Sequence, residues 1–210
     1  MSVPIQEYLL KLLQVKPLIS LFTLVALAVV LFVVSRKTAL NTRLLAYGAL
    51  SMSAAFVLSY FKILQFPNGG TVTIASMLPI FIFAYIAGPA AGILLGLCYG
   101  LLQFIQDPFF VHPIQFILDY PLAFSLLGLA GFFRKNVYLG AVIGSIARLL
   151  CHFLSGAIFF GEYAPAGQSV FLYSLIYNSS YILPDMAICL GILAISNVRS
   201  AITRLKNAIA

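Results

Sequence analysis

Asp119, His152, Tyr173 and Asn178 are the side chains of this 210-residue chain whose types and spacing best suit recognition of a charged, ring-bearing solute. Each lies inside a long apolar run, where an ionisable or amide group is costly and marks function or packing. Helical rise converts sequence position into depth from the end of a run. Asp119 falls roughly 9 Å below Pro113, and His152 about 12 Å below Phe160. Tyr173 falls about 6 Å and Asn178 about 13 Å below Ser169. A carboxylate, an imidazole, a phenol and an amide from three helices therefore share one depth band, the pattern of a pocket open on one side. Asp119 has no cation on its own helix face, so a cationic ligand is an apt partner. Tyr120, Phe159, Phe160, Tyr163 and Tyr177 offer aromatic faces for stacking and cation-π attraction. Taken singly, His152 also fits an interhelical hydrogen bond and Tyr173 an interfacial anchor.

The elements that must position these groups are membrane helices. The chain is 62% apolar and 8% charged, whereas soluble domains are about 25% charged. A water-soluble fold, a disordered chain and a water-soluble nucleic-acid binder are excluded in turn. Long continuous apolar runs favour an all-α membrane protein over a barrel of short alternating strands. Spans are expected at 17–35, 44–64, 74–87, 89–106, 113–133, 137–160 and 169–197, each near the roughly 20 residues that cross a bilayer. The third is short, with Pro79 inside it and Gly88-Pro89 after it, which predicts a tilted or broken segment. Cys98, Cys151 and Cys189 sit in apolar runs without metal-ligand spacing and read as small core residues. No metal, cofactor or catalytic motif is expected.

Net charge is +7, and the basic residues cluster by connector. Arg36, Lys37 and Arg43, then Arg134 and Lys135, then Arg199, Arg204 and Lys206 all fall on one side of seven spans, which the positive-inside rule makes cytoplasmic. The C-terminus is expected inside, and the Pro67–Gly70 turn, the Asp107-Pro108 loop and the Glu162 loop outside. Arg148 and Asp185, about 18 and 24 Å below the outer side, are expected to form a packing ion pair, with a proton relay as the alternative. Gly92, Gly96 and Gly100 repeat every fourth residue and read as a close helix contact. Ala49 and Ser53 form a shorter small-residue pair suited to docking another membrane protein.

Three blocks in order carry a family resemblance: FPNGGTVTIASMLPI at 66–80, HPIQFILDYPLAFSLLGLAGFFRK at 112–135, and ARLLCHFLSGAIFFGEYAP with YSLIYNSSYILP between 147 and 184. They contain acid-Tyr-x-x-A, His-x-x-x-Gly and Tyr-x-x-x-x-Asn. The chain resembles, over roughly 44–196, the thiamine-specific substrate-binding subunits of energy-coupling factor transporters. The resemblance implies a six-helix core, here 44–197; the extra transmembrane helix expected within 1–43 lies outside that pattern, and 198–210 is expected to be a basic cytoplasmic tail. It implies a bacterial plasma-membrane protein that performs no covalent chemistry. Such a protein binds thiamine tightly outside and delivers it inward with a transmembrane coupling subunit and two cytosolic ATPases.

By the same resemblance the ligand site is Asp119, Tyr120, His152, Phe160, Tyr173 and Asn178. Gly69, Gly70 and Thr71 belong to a loop covering the ligand, and Ala49 and Ser53 to the face that docks on the coupling subunit. The chain departs from some members in having no tryptophan, with Phe160 at a matching site, and in carrying Asp119 where others have glutamate. Rival readings are a subunit for another vitamin or a thiamine precursor, a stand-alone proton-coupled carrier using Asp119, Arg148 and Asp185, and a structural scaffold.

Overall fold

The computed structural model describes residues 41–209 together with Val25, Ala28 and Phe32. The expected span at 17–35 and the basic residues Arg36 and Lys37 lie outside the described residues. The order of elements is α1 (Thr42–Ser59), β1 (Lys62–Gln65), β2 (Thr71–Thr73), α2 (Leu78–Ala87), α3 (Pro89–Gln106), the composite helix α4 (Pro113–Phe132), α5 (Val137–Phe159), α6 (Val170–Ala194) and α7 (Ser196–Ile209). Among the described residues, α1, α3, α4, α5 and α6 are long and apolar enough to cross a membrane, and α2 is a shorter apolar helix. The protein is an all-α membrane protein apart from one small hairpin.

Local chemistry fixes where helices start. Asn41 caps α1 by accepting from the Leu44 amide at 2.7 Å, and Asn136 caps α5 through the amides of Tyr138 and Leu139. Such caps satisfy amides that have no intrahelical acceptor. Gly88, at φ +97°, ends α2 and Pro89 opens α3, the glycine-stop and proline-start pairing expected of a sharp helix break.

Two expected spans differ in detail. Helix α1 ends at Ser59, and residues expected to continue it form β1, which pairs antiparallel with β2 in the register Lys62 to Thr73 and Gln65 to Thr71. The apolar stretch around Ile63 and Leu64 satisfies either reading by composition, and the Pro67–Gly70 turn decides for a hairpin. The third span begins only at Leu78, so Pro79 lies in its first turn, where a missing N–H costs nothing. Residues 74–77 form a turn with Ala75 at φ +57°. At ten residues α2 is about 15 Å long, half a bilayer core. Ile80, Phe81 and Ala84 are fully buried, which makes α2 the centre of the main apolar core.

The glycine stripe is a packing device, as expected. A Cβ on Gly96 would lie 2.1 Å from the Phe124 carbonyl oxygen, and one on Gly100 2.4 Å from that of Tyr120. Gly92 meets Gly128 at 3.1 Å in the same sense. Helix α3 thus lies directly on the backbone of α4. The C-terminal residues expected to be a tail form the amphipathic helix α7, whose Ile202 is buried in the core.

Candidate ligand-binding cavity

Helices α3, α4, α5 and α6 and the hairpin enclose a cavity of about 330 Å³. It falls within the roughly 300–1,000 Å³ of small-molecule sites. Asp119, Tyr120, His152, Phe160, Tyr173 and Asn178 all line it, as do Gly69, Gly70 and Thr71. Ala49 and Ser53 lie elsewhere, exposed on α1.

Asp119 is placed by an irregular stretch of α4. Residues Leu118–Leu122 form a π-turn that contains Pro121. Proline supplies no amide to the ladder, and the wider turn absorbs that loss while re-aiming the neighbouring side chains. The carboxylate accepts from Gln115 Nε2 at 2.7 Å and Ser155 Oγ at 2.9 Å on Oδ2, and its Oδ1 lies 3.1 Å from His152 Nδ1. With its side chain 14% exposed, it is walled by donors on three sides.

Arg148 determines which proton His152 carries. Its Nε donates to His152 Nε2 at 3.3 Å. A ring nitrogen that accepts cannot also be protonated, so the imidazole proton sits on Nδ1 and points at Asp119. The guanidinium is itself held by Met77 Sδ at 2.8 Å and by the face of Phe124, 4.5 Å from the ring centroid. This corrects the expected Arg148–Asp185 ion pair. Among the described residues the close acid–base contacts are Asp119 with His152 and Lys62 with Asp107. Asp185 instead accepts from Thr73 Oγ1 at 3.0 Å, which ties the hairpin to α6. Arg148 lines the cavity.

Asn178 and Tyr120 hold the walls. Asn178 Nδ2 donates to the carbonyls of His152 at 3.1 Å and Ser174 at 2.9 Å, while its Oδ1 accepts from Tyr181 at 2.7 Å. This contact explains the glycine four residues after His152: a Cβ on Gly156 would sit 2.3 Å from Ser174 Oγ. Tyr120 accepts from the Phe109 amide at 3.0 Å and donates to the Asp107 carbonyl at 3.1 Å, which pins the loop at the cavity mouth.

Aromatic rings line opposite sides. Phe160 stacks on Phe109 at 5.7 Å. Tyr173, Tyr177 and Tyr181 recur at helical spacing on α6, the first two stacked at 6.1 Å and the next pair edge-on at 5.8 Å. The Tyr177 hydroxyl donates to the Pro67 carbonyl and receives the Gly70 amide at 3.2 Å, so the hairpin turn rests on α6. Two of the expected aromatic faces lie outside the lining: Tyr163 and Phe159, which stacks on His112 at 4.9 Å.

Among the lining residues that sequence reasoning left out of the site are Arg148, Gln115, Ser155, Tyr181 and Phe109. Spacing alone could have recruited the first three. Arg148 and Gln115 each stand four residues from a site residue on the same helix face, and Ser155 three.

A bundle of apolar helices around a capped, solute-sized polar cavity with one walled carboxylate defines an integral membrane protein that binds a small solute. Comparison with known proteins places it more narrowly. Residues 45–204 match the family described as thiamine transporter protein (Thia_YuaJ), and the chain belongs to that family. It is 38% identical over 166 residues to the thiamine transporter ThiT of Bacillus subtilis, covering 70% of this chain and 86% of that one. It is 37% identical over 122 residues to ThiT of Lacticaseibacillus paracasei, covering 49% of this chain and 61% of that protein. The solved structure of ThiT from Listeria monocytogenes superposes with a TM-score of 0.68 at 26% identity, over 79% of this chain and 99% of that one. The resemblance read from the three sequence blocks is borne out, and the chain is a transport component, not an enzyme.

Proposed function

We propose that the chain takes up thiamine by binding it with high affinity in the cavity and delivering it inward with an ATP-driven energy-coupling module. The observation that carries this reading is Asp119, an acceptor with three protein donors at the wall of a cavity bounded by the Phe160 and Tyr173 rings. The protein arranges hydrogen-bond donors around the carboxylate and leaves its charge to be balanced by the ligand. A thiazolium beside Asp119 supplies that balance, and the aromatic faces add cation-π attraction. Tyr173, whose ring is stacked on Tyr177, has its hydroxyl available for the polar edge of the aminopyrimidine.

Each remaining site residue has a distinct task in this reading. Arg148 is a positioning residue that sets the His152 tautomer, and His152 orients the carboxylate. Asn178 and Tyr120 are positioning residues for α6 and the mouth loop. Gly69, Gly70 and Thr71 form the lid: a Cβ on Gly70 would lie 2.7 Å from Tyr181 and 2.9 Å from the Tyr177 hydroxyl, so only glycine lets the turn close this far.

The cationic connectors at Arg134, Lys135, Arg199 and Lys206 support a cytoplasmic location for that end by the positive-inside rule. The cavity then opens outward and the C-terminus lies inside. The exposed Ala49 and Ser53 face of α1, the least buried of the described spans, is the docking surface for the transmembrane coupling subunit, which works with two cytosolic ATPases.

The test is isothermal titration of thiamine into detergent-purified protein. Saturable one-to-one binding is expected; well-folded protein that releases no heat at any temperature tried rejects thiamine as the ligand.

A further inference from the structure

The end of the molecule opposite the thiamine cavity carries a second recess that the proposed function leaves unused. It lies between α2, α5 and α7 and is lined by Tyr85, Lys135, Asn136, Tyr138, Arg199 and Thr203, among others. Its location is fixed by the two spans that meet there. Lys135 immediately precedes the capped start of α5, Arg199 follows the end of α6 by five residues, and Tyr138 donates to the Leu193 carbonyl at 3.0 Å. The recess therefore sits at the rim of the apolar slab, level with lipid headgroups.

Its charge is one-sided. The chain has five acidic residues. Glu7 lies outside the described residues, Asp107, Asp119 and Glu162 belong to the thiamine-cavity end, and Asp185 is buried within α6. Besides Arg43 in the first turn of α1, five cations lie at this end: Arg134, Lys135, Arg199, Arg204 and Lys206. Two of them are used by the fold. Arg134 donates to the Ile86 carbonyl at 2.7 Å, and Lys206 donates to the Arg134 carbonyl at 2.5 Å while covering the Tyr85 ring at 4.4 Å. Their packing leaves Lys135 and Arg199 lining the recess, with no side-chain carboxylate at this end among the described residues.

We infer that this recess binds the phosphate of an anionic lipid headgroup, clamped between Lys135 and Arg199. A guanidinium and an ammonium lining one recess with the Tyr85, Tyr138 and Thr203 hydroxyls suit a phosphate, and juxtamembrane basic pockets between helices recognise acidic headgroups by this chemistry. The neighbouring residues favour a lipid over a free phosphate. Phe132, Leu139, Ile195 and Leu205, one to four residues in sequence from lining residues, are between 39% and 64% exposed, and they offer apolar surface at this end for acyl chains.

The experiment is native mass spectrometry of the full chain released from mixed micelles that contain phosphatidylglycerol and phosphatidylcholine with identical acyl chains. The wild type should retain one phosphatidylglycerol at least tenfold more often than phosphatidylcholine. The K135Q/R199Q double variant should lose that preference, and R204Q, outside the lining, should keep it. Thiamine titration on the same preparations reports that the variants are folded. Equal retention of both lipids by the wild type overturns the inference. So does an equal loss of preference in R204Q and the double variant, which would mean diffuse surface charge. Displacement of the lipid by 10 mM inorganic phosphate (roughly tens of times the lipid concentration) would show a free-anion site instead.

Discussion

Asp119→Asn separates charge from shape more cleanly than truncation does. The substitution keeps the side-chain volume, so a change in ligand discrimination reports the lost charge. With a thiazolium about 5 Å from the carboxylate and an effective dielectric constant of about 20, the attraction is roughly 3 kcal/mol, about a hundredfold in affinity. Asparagine also introduces a mismatch. Asp119 receives donors on both oxygens, from Gln115, Ser155 and His152, so the new amide must point N–H at one of them. Arg148 prevents His152 from relieving that clash by moving its proton, because it occupies Nε2. The mismatch costs about 1 kcal/mol and weakens every ligand alike. The assay is therefore a ratio: titrate thiamine and a neutral analogue lacking the thiazolium charge into wild type and Asp119→Asn. Thiamine should weaken by several hundredfold in total and the neutral analogue by only about fivefold, a ratio of about a hundred. An equal loss for both ligands, or no loss for thiamine, would refute the assignment of Asp119 as the charge partner.

Three further outcomes are expected. Gly100→Ala places a methyl 2.4 Å from the Tyr120 carbonyl oxygen; neither helix backbone can yield there, so the variant should lose about 1–3 kcal/mol of stability, and an unchanged melting temperature in detergent would count against the packing described. Gly70→Ala meets Tyr181 and the Tyr177 hydroxyl, so it should hold the lid off α6 and speed thiamine dissociation while leaving the melting temperature nearly unchanged, which stopped-flow displacement would measure. Arg148→Gln should allow His152 to shift its proton between ring nitrogens. The chain contains two histidines, so a nitrogen-15 spectrum of histidine-labelled protein resolves the change directly, and an unaltered His152 tautomer would remove Arg148 from its positioning role.

How much was legible in the sequence depended on whether a feature was encoded within one helix or between several. Apolar runs located the long helices, and depth arithmetic brought Asp119 and His152 to the same level, where they are 3.1 Å apart. Arg148 was misassigned because depth alone set it near Asp185, while its side chain reaches one helical turn onward to His152 on its own helix face. That i,i+4 spacing was in the sequence, as was the one between Gln115 and Asp119. The hairpin was harder to read. Phe61, Ile63 and Leu64 continue the apolar run of α1 without a break, and only the position of Thr73 against Asp185 shows why the chain turns inward. Asn178 and Tyr120 were correctly placed at the cavity, but their bonds to the His152 and Asp107 carbonyls depend on backbone positions that no residue pattern reveals.

The half-length helix α2 makes the roof and the floor of the cavity a single stretch of polypeptide. From the lid turn at Gly70 the chain runs through β2 to Thr73, anchored on Asp185, and reaches Met77 against Arg148 four residues later. Only then does α2 begin. The methionine that touches the arginine thus stands four residues from the hairpin, and the arginine in turn reaches His152 and, through it, Asp119. On the proposed function, the covered entrance and the binding carboxylate are thus two ends of one continuous chain of contacts.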